Sequence, residues 1–223
     1  MFFKSKIATN IFNLEKDITR LCKIANRDEN SVKILAVSKT INEKNILKAI
    51  ESGQNDFGEN KLQEAKIKWP NIKAVYPNVK LHMIGALQSN KVKDALSLFD
   101  VIETIDREKI VLEILKYKNY MNIMPKLYVQ INIGEEPQKN GCLPHKSLDF
   151  IKECKAKGLD INGVMGIAPH NEPPAPYFAL LKNIADKFSL KNISMGMSND
   201  YEDAIYLGST CIRIGSKIFG ERN

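Results

Sequence analysis

Short apolar runs rich in β-branched residues recur along the whole chain. The first of them, KILAVSK, is apolar without a break from Ile34 to Val37, which predicts a strand that is buried on both faces. Seven later runs have the same character. Together they predict eight strands, at 33–39, 55–59, 81–85, 101–104, 126–134, 161–168, 192–198 and 211–216.

The segments between these runs have apolar residues every three or four positions, as expected for amphipathic helices. In the segment 42–53, Asn42 is a predicted N-cap and Gly53 a predicted C-terminal stop. The segment 89–99 is predicted to begin at a cap formed by Ser89 or Asn90. Further helices are predicted at 106–117, 145–158 and 177–188, and a helix before the first strand is predicted by Ile7, Ile11, Leu14, Ile18 and Leu21.

This regular alternation of strands and helices defines the expected fold class. Parallel strands joined by crossover helices form an α/β protein. Eight such units in about 190 residues favour a single (β/α)8 barrel of the TIM type, with the amphipathic helix added at the N-terminus. We therefore predict one domain over residues 1–223. An open, doubly wound sheet is the alternative that the pattern leaves.

Composition narrows the environment in which the protein is expected to work. No stretch approaches the roughly 18 consecutive apolar residues of a membrane span, and residues 1–17 lack the apolar core of a signal peptide. The four cysteines are far apart in the sequence and form no C-x-x-C motif, which favours free thiols in a reducing cytoplasm.

The formal net charge of +7 raises a nucleic-acid surface as one possible function. Its lysines, however, are spread over many predicted helices with glutamates between them. Dispersed lysine of this kind is typical of a solvated surface, so we do not expect a nucleic-acid partner. Retention on DNA or RNA that falls steeply with salt would contradict this expectation.

In a (β/α)8 barrel the functional site forms where the carboxyl ends of the strands meet. The residues that follow each predicted strand, and the polar residues that strands 3 and 8 contain, are therefore the candidates for chemistry. They include one lysine, one arginine, one histidine and several small polar residues, at Lys39, Asn60, His82, Ser198, Arg213, Gly215 and Ser216.

The ends of the last two strands have the composition of an anion site. Ser198 and the pair Gly215-Ser216 each precede a short predicted helix. Backbone amides at helix N-termini, together with serine hydroxyls, can bind a phosphate group. The alternative is that these residues only cap two helices at tight turns.

Lys39 ends a strand that is otherwise apolar. It could be a lysine that extends from a strand edge to water. If the barrel mouth removes it from water, the neutral amine is favoured, and that amine can attack an aldehyde to form a Schiff base. Strands 1 and 8 are neighbours in a closed barrel, so Lys39 and the phosphate site could hold a phosphorylated aldehyde such as pyridoxal 5′-phosphate.

Seven motifs in order then identify a family resemblance. They are LAVSKT, FGENKLQEA, HMIGALQSNK, ETID, EPQKNG, SMGMSNDYEDAI and GSTCIRIGSKIFGER. Over nearly the whole chain, these motifs resemble the YggS/PROSC family of pyridoxal 5′-phosphate homeostasis proteins, which share the fold of the N-terminal barrel of alanine racemase. One departure is the proline-rich loop PHNEPPAPY, where a lid could differ.

The resemblance implies a role for each candidate residue. Lys39 matches the Schiff-base lysine, and Arg213 matches an arginine that faces the pyridine nitrogen. Asn60 and His82 match positions that line the pocket. The phosphate contacts match Ser198, Gly215 and Ser216.

The resemblance also implies that the protein carries pyridoxal 5′-phosphate and related B6 vitamers and supplies the cofactor to apoenzymes. We expect it to act as a monomer. A guanidinium facing the ring nitrogen would weaken the ring as an electron sink, which disfavours an enzyme. A low-activity amino-acid racemase acting through Lys39 is the alternative. It needs a second base, and we expect Tyr201 and Tyr206 to pack rather than to react, and His82 to be part of the pocket wall.

Overall fold

The computed structural model describes residues 5–221 and contains a closed barrel of parallel strands. Each strand pairs with its neighbours in chain order, and β8 returns to pair with β1. This confirms the (β/α)8 prediction over the open sheet. The strands are β1 Lys33–Val37, β2 Asp56–Glu59, β3 Lys80–Met83, β4 Val101–Ile105, β5 Lys126–Ile131, β6 Ile161–Gly166, β7 Asn192–Met197 and β8 Cys211–Ile214.

Several strands are shorter at their carboxyl ends than the apolar runs predicted. β1 ends at Val37, and the chain then turns through Thr40, which has a left-handed φ of 63°. β5 ends at Ile131, and Glu135 again has a positive φ, of 50°. The residues lost from the predicted strands form the loops around the barrel mouth, which is where the candidate site was expected.

Helices surround the barrel as α1 Lys6–Ile24, α2 Glu43–Glu51, α3 Leu62–Val75, α4 Val92–Leu98, α5 Glu108–Lys118, α6 Pro144–Ala156, α7 Ala175–Lys187, α8 Tyr201–Tyr206 and α9 Ser216–Phe219. The Asn42 cap is confirmed, because its side chain accepts a hydrogen bond from the Asn45 amide at 2.9 Å. The predicted cap at Ser89 or Asn90 is wrong. Ser89–Lys91 form a 3₁₀ turn, and Lys91 is the cap of α4.

The apolar core lies between the strands and the surrounding helices. It includes the apolar face that the sequence predicted for α1, from Ile7 to Leu21, and the large side chains of Phe57, Trp69 and Phe178. This layer fixes the position of each strand end, and so fixes the geometry of the mouth.

The interior of the barrel contains charged groups as well as apolar ones. His82, Glu103 and Arg213 are all buried. Burial opposes ionisation of the Glu103 carboxyl, but its hydrogen bond to His82 and the positive charges of His82 and Arg213 hold the pKa of Glu103 low. Burying charges that compensate one another in this way costs much less free energy than burying isolated charges.

Candidate functional site

Lys39 lies at the carboxyl end of β1, in a loop that is fixed from both sides. Ser38 donates a hydrogen bond through its hydroxyl to Glu59 at 2.8 Å, and the Thr40 amide donates to the Glu64 carboxylate at 2.6 Å. Lys39 itself is half-buried. The backbone on both sides of the lysine is therefore held, which limits the directions in which its amine can point.

Lys68 on α3 connects these contacts. Its ammonium lies 2.7 Å from Glu59 and 2.8 Å from Glu64, and it donates to the Ser38 carbonyl at 3.0 Å. Glu59 is fully buried and also accepts a hydrogen bond from the Trp69 indole at 3.1 Å. Sequence reasoning missed this network. Its only signal was the i, i+4 spacing of Glu64 and Lys68.

The predicted phosphate site is assembled where β7 and β8 end. Ser198 follows β7, and Gly215 and Ser216 follow β8. The Ser216 hydroxyl donates to the Ser198 hydroxyl at 3.2 Å, which brings the two strand ends together. A Cβ added at Gly215 would meet no atom closer than 3.7 Å, on Val37. Space beside this backbone is therefore open, as a phosphate cradle requires.

Arg213 lies on β8, two residues before Gly215 and on the same side of the strand. Its guanidinium donates to the Ser194 hydroxyl and to the Gly166 carbonyl, both at 2.8 Å. The side chain is buried inside the barrel, 5% exposed. These bonds hold a permanent positive charge below the cradle.

Asn60 lines a cavity of about 240 Å³ at the mouth, together with Gly85, Asn132 and Lys139. The loop after β2 and the loop after β3 are in close contact here. A Cβ added at Gly85 would lie 2.1 Å from the Asn60 carbonyl oxygen, so only glycine fits. Asn60 therefore belongs to the mouth, as the sequence predicted.

The structure does not place His82 at the mouth, although His82 and Arg213 both act on Glu103 inside the barrel. His82 lines a cavity at the opposite end of the barrel, where the strands begin, beside Lys33, Asp56 and Lys80. Its Nδ1 is 2.6 Å from Glu103 and its Nε2 is 3.4 Å from Asp56. The alternation of strand side chains explains the difference, because inward-facing residues occur at both ends of a strand.

Replacing His82 with glutamine is expected to remove a pH dependence from the stability. Burial opposes charging of the imidazole, but Asp56 and Glu103 outweigh it and raise the pKa of His82 from 6.5 to about 9. A raised folded-state pKa stabilises the fold fully below pH 6.5, and this contribution is lost as the pH rises through 9. In the wild type, urea unfolding should therefore show a loss of roughly 3 kcal/mol over this interval.

The control for this measurement is His145→Gln, at an exposed histidine on α6. That variant should keep the wild-type pH dependence, whereas His82→Gln should lose the roughly 3 kcal/mol that His82 contributes to it. Equal slopes for the two variants would contradict the prediction.

The mouth as a whole defines a class of protein. A lysine after β1, a pair of serines after the neighbouring strands β7 and β8, and a buried arginine on β8 lie on adjacent strands of a (β/α)8 barrel. The model of the family "Alanine racemase, N-terminal domain" matches residues 10–223. The chain belongs to this family.

Sequence identity to relatives supports this assignment. The chain is 35% identical to the pyridoxal phosphate homeostasis protein of Haemophilus influenzae, over 97% of this chain and 96% of that protein. It is 37% identical to the protein of the same name from Vibrio cholerae, over 97% of each chain. The resemblance to the homeostasis-protein family that the seven motifs indicated is confirmed.

Solved structures support the same relationship. PipY of Synechococcus elongatus, in a structure described as having PLP bound, superposes with a TM-score of 0.79 at 30% identity, covering 91% of this chain and 99% of that one. An alanine racemase from Clostridium difficile superposes with a TM-score of 0.71 at 16% identity, over 96% of this chain and 56% of that enzyme. The second match concerns the fold alone.

Proposed function

We propose that the protein binds pyridoxal 5′-phosphate at the barrel mouth and keeps it available in the cell. The observation that carries this proposal is the position of Lys39 and of the hydrogen-bonded Ser198–Ser216 pair directly after three adjacent strands, β1, β7 and β8. The names of the relatives support it, as does the PipY structure with PLP bound. The protein is then a carrier of a reactive aldehyde.

Each residue of the mouth has a defined task in this proposal. The Lys39 amine forms a reversible Schiff base with the aldehyde that the ligand supplies. Ser198, Gly215 and Ser216 bind the phosphate through hydroxyl and backbone donors. Asn60 is assigned to the pocket wall by the family resemblance, and it lines a cavity at the mouth with residues that follow β3 and β5.

Arg213 favours a carrier over an enzyme. A guanidinium stays protonated at any ordinary pH, so a ring nitrogen that faces it is kept unprotonated. That arrangement reduces the ability of the ring to accept electrons from a bound substrate. We propose that His82 does not touch the ligand, because it lies at the other end of the barrel.

A low-activity racemase is a second candidate, favoured by the lysine and by the fold shared with alanine racemases. It requires a second base at the mouth. The Tyr201 hydroxyl is bonded to Asp17 of α1 at 2.5 Å, and Tyr206 is on the surface, 44% exposed. Conversion of L-alanine to D-alanine that is lost in Lys39→Ala would favour this candidate. No turnover by the loaded protein would exclude it.

The wider setting of the protein is also part of the proposal. We propose a monomer in the cytoplasm, with residues 1–223 as a single domain, that exchanges B6 vitamers and delivers pyridoxal 5′-phosphate to apoenzymes. The four cysteines are free thiols, as suits a reducing compartment. No helix within residues 5–221 has the length and apolar character needed to cross a membrane. Sedimentation of the loaded protein tests the monomer, and activation of a cofactor-free enzyme tests delivery.

The direct test of the proposed function is the visible absorption spectrum after pyridoxal 5′-phosphate is added. Borohydride reduction followed by peptide mapping then locates the attached lysine. A new band and an adduct on Lys39 would support the proposal. The absence of a band, or adducts scattered over surface lysines, would reject it.

Arg213→Gln is expected to weaken ligand binding by roughly ten- to a hundredfold, because one charge-assisted contact contributes about 1.5–3 kcal/mol. The absorption maximum should also shift, since the ring nitrogen can then be protonated. Equilibrium dialysis and the spectrum measure both effects, with Arg20→Gln on the surface of α1 as the control. Unchanged affinity and spectrum would show that Arg213 does not face the ligand.

A further inference from the structure

A second cavity lies at the end of the barrel opposite the mouth. Its volume is about 650 Å³, within the range of pockets that bind small molecules. The first residues of seven strands line it, those of β1 to β5 and of β7 and β8. We call it the basal cavity. Among the described residues, the hydrogen bonds and ion pairs that surround Lys39, Ser198 and Ser216 involve none of the residues that line the basal cavity.

The walls of the basal cavity are largely apolar on one side. Phe99, Met121 and Met124 line this side, and Ile123 stands at the rim with 85% of its surface exposed. The exposed isoleucine and the concave wall beside it form an apolar surface that a ligand can cover. The body of a ligand in this cavity would therefore be aromatic or aliphatic.

The charges around the basal cavity are predominantly positive. Five lysines line it, against the carboxylates of Asp56 and Asp100. Asp100 is engaged with Lys73 at 2.8 Å, and Asp56 faces His82 at 3.4 Å. Among residues 5–221, no carboxylate lies within ion-pair distance of Lys126 or Lys191, which are therefore left to attract an anion. The five lysines are Lys33, Lys73, Lys80, Lys126 and Lys191.

The charged groups further inside the barrel leave the net charge around the basal cavity positive. His82, Asp56 and Glu103 lie together, and Glu103 is also close enough to Arg213 to be stabilised by its charge. Two cations and two anions compensate one another here.

We propose that the basal cavity is a second ligand site, which takes a small organic anion with an aromatic or acyl body. The body lies against Phe99, Met121 and Met124, and the anionic head meets Lys126 and Lys191. Both halves are required, because the apolar wall alone would accept neutral compounds and the lysines alone would hold an inorganic anion only weakly. The proposal does not depend on what the mouth binds.

The probe for this site is 1-anilinonaphthalene-8-sulfonate, an aromatic anion whose fluorescence rises when it leaves water. Titration of the full chain should show saturable binding at one site, both before and after pyridoxal 5′-phosphate is added. The double variant Lys126→Glu/Lys191→Glu should bind the probe about tenfold more weakly, since two favourable charges are reversed. The control Lys16→Glu, on the exposed face of α1, should bind it as the wild type does.

N-phenyl-1-naphthylamine, the neutral analogue of the probe, separates the anion requirement from apolar binding. It should bind at least tenfold more weakly than the sulfonate. The proposal is overturned if pyridoxal 5′-phosphate that borohydride has fixed on Lys39, with the excess removed, displaces the probe, if the neutral analogue binds equally well, or if the double variant and the control have the same affinity. Circular dichroism of each variant establishes that it is folded, which is expected because all three lysines are exposed.

Discussion

Replacing Lys39 with alanine is expected to abolish the visible absorption band that pyridoxal 5′-phosphate gives with the wild-type protein. A Schiff base needs a primary amine, and Lys39 is the amine that the β1 loop holds at the mouth. The proposed phosphate site at Ser198 and Ser216 remains in this variant. Weak, non-covalent binding should therefore persist, and equilibrium dialysis can detect it.

Lys61→Ala is the matched control for this experiment. Lys61 is an exposed lysine in the loop after β2, close to Asn60 in the sequence, and its side chain has no assigned role at the mouth. It should keep both the band and the borohydride adduct of the wild type. A band of undiminished intensity in Lys39→Ala would move the Schiff base to another lysine.

Lys68→Met is expected to lower the free energy of unfolding by about 3–5 kcal/mol, because it leaves the buried Glu59 carboxylate without its cation. It should also slow formation of the absorption band, since the Ser38 carbonyl and Glu64 both lose the ammonium that holds the Lys39 loop. Urea unfolding and stopped-flow absorption measure the two effects.

Two controls separate the buried charge from the loss of a lysine. Lys66→Met removes a neighbouring lysine of α3 whose partner, Asp94, is 46% exposed, so it should cost about 1 kcal/mol or less. The double variant Glu59→Gln/Lys68→Met removes both buried charges and should recover much of the lost stability. If Lys68→Met and Lys66→Met have equal stability, the buried pair does not hold the loop.

The architecture could be predicted from the sequence because barrel strands and helices have different hydrophobic periods. The hydrophobic periodicity did not predict α3. Pro70 lies in the interior of this helix, and a proline there ordinarily indicates a break, since it has no amide hydrogen to donate. Tertiary packing of Trp69 and Ile72 against the barrel overrides that local preference.

The site was predictable in part for a similar reason. Lys39, Asn60, Ser198, Gly215 and Ser216 follow strands, and the carboxyl ends of parallel strands meet at one end of the barrel. That rule does not place a residue inside a strand. His82 is such a residue, and its place at the basal cavity depends on the stagger of β3 against β2 and β4. The contact between Lys68 and Glu59 depends on how α3 packs, which no local pattern specifies.

Because β1 pairs with β8, the candidate site can form only after the last strand has been synthesised. The Asn10 side chain also donates a hydrogen bond to the Ile218 carbonyl, 208 positions further along the chain. Lys39 leaves the ribosome early and Ser216 late, so a nascent chain that ends before β8 has the reactive amine but neither a closed barrel nor a complete cradle. Contacts this distant in sequence also form slowly. On the proposed function, ligand binding therefore begins only after β8 has closed the barrel.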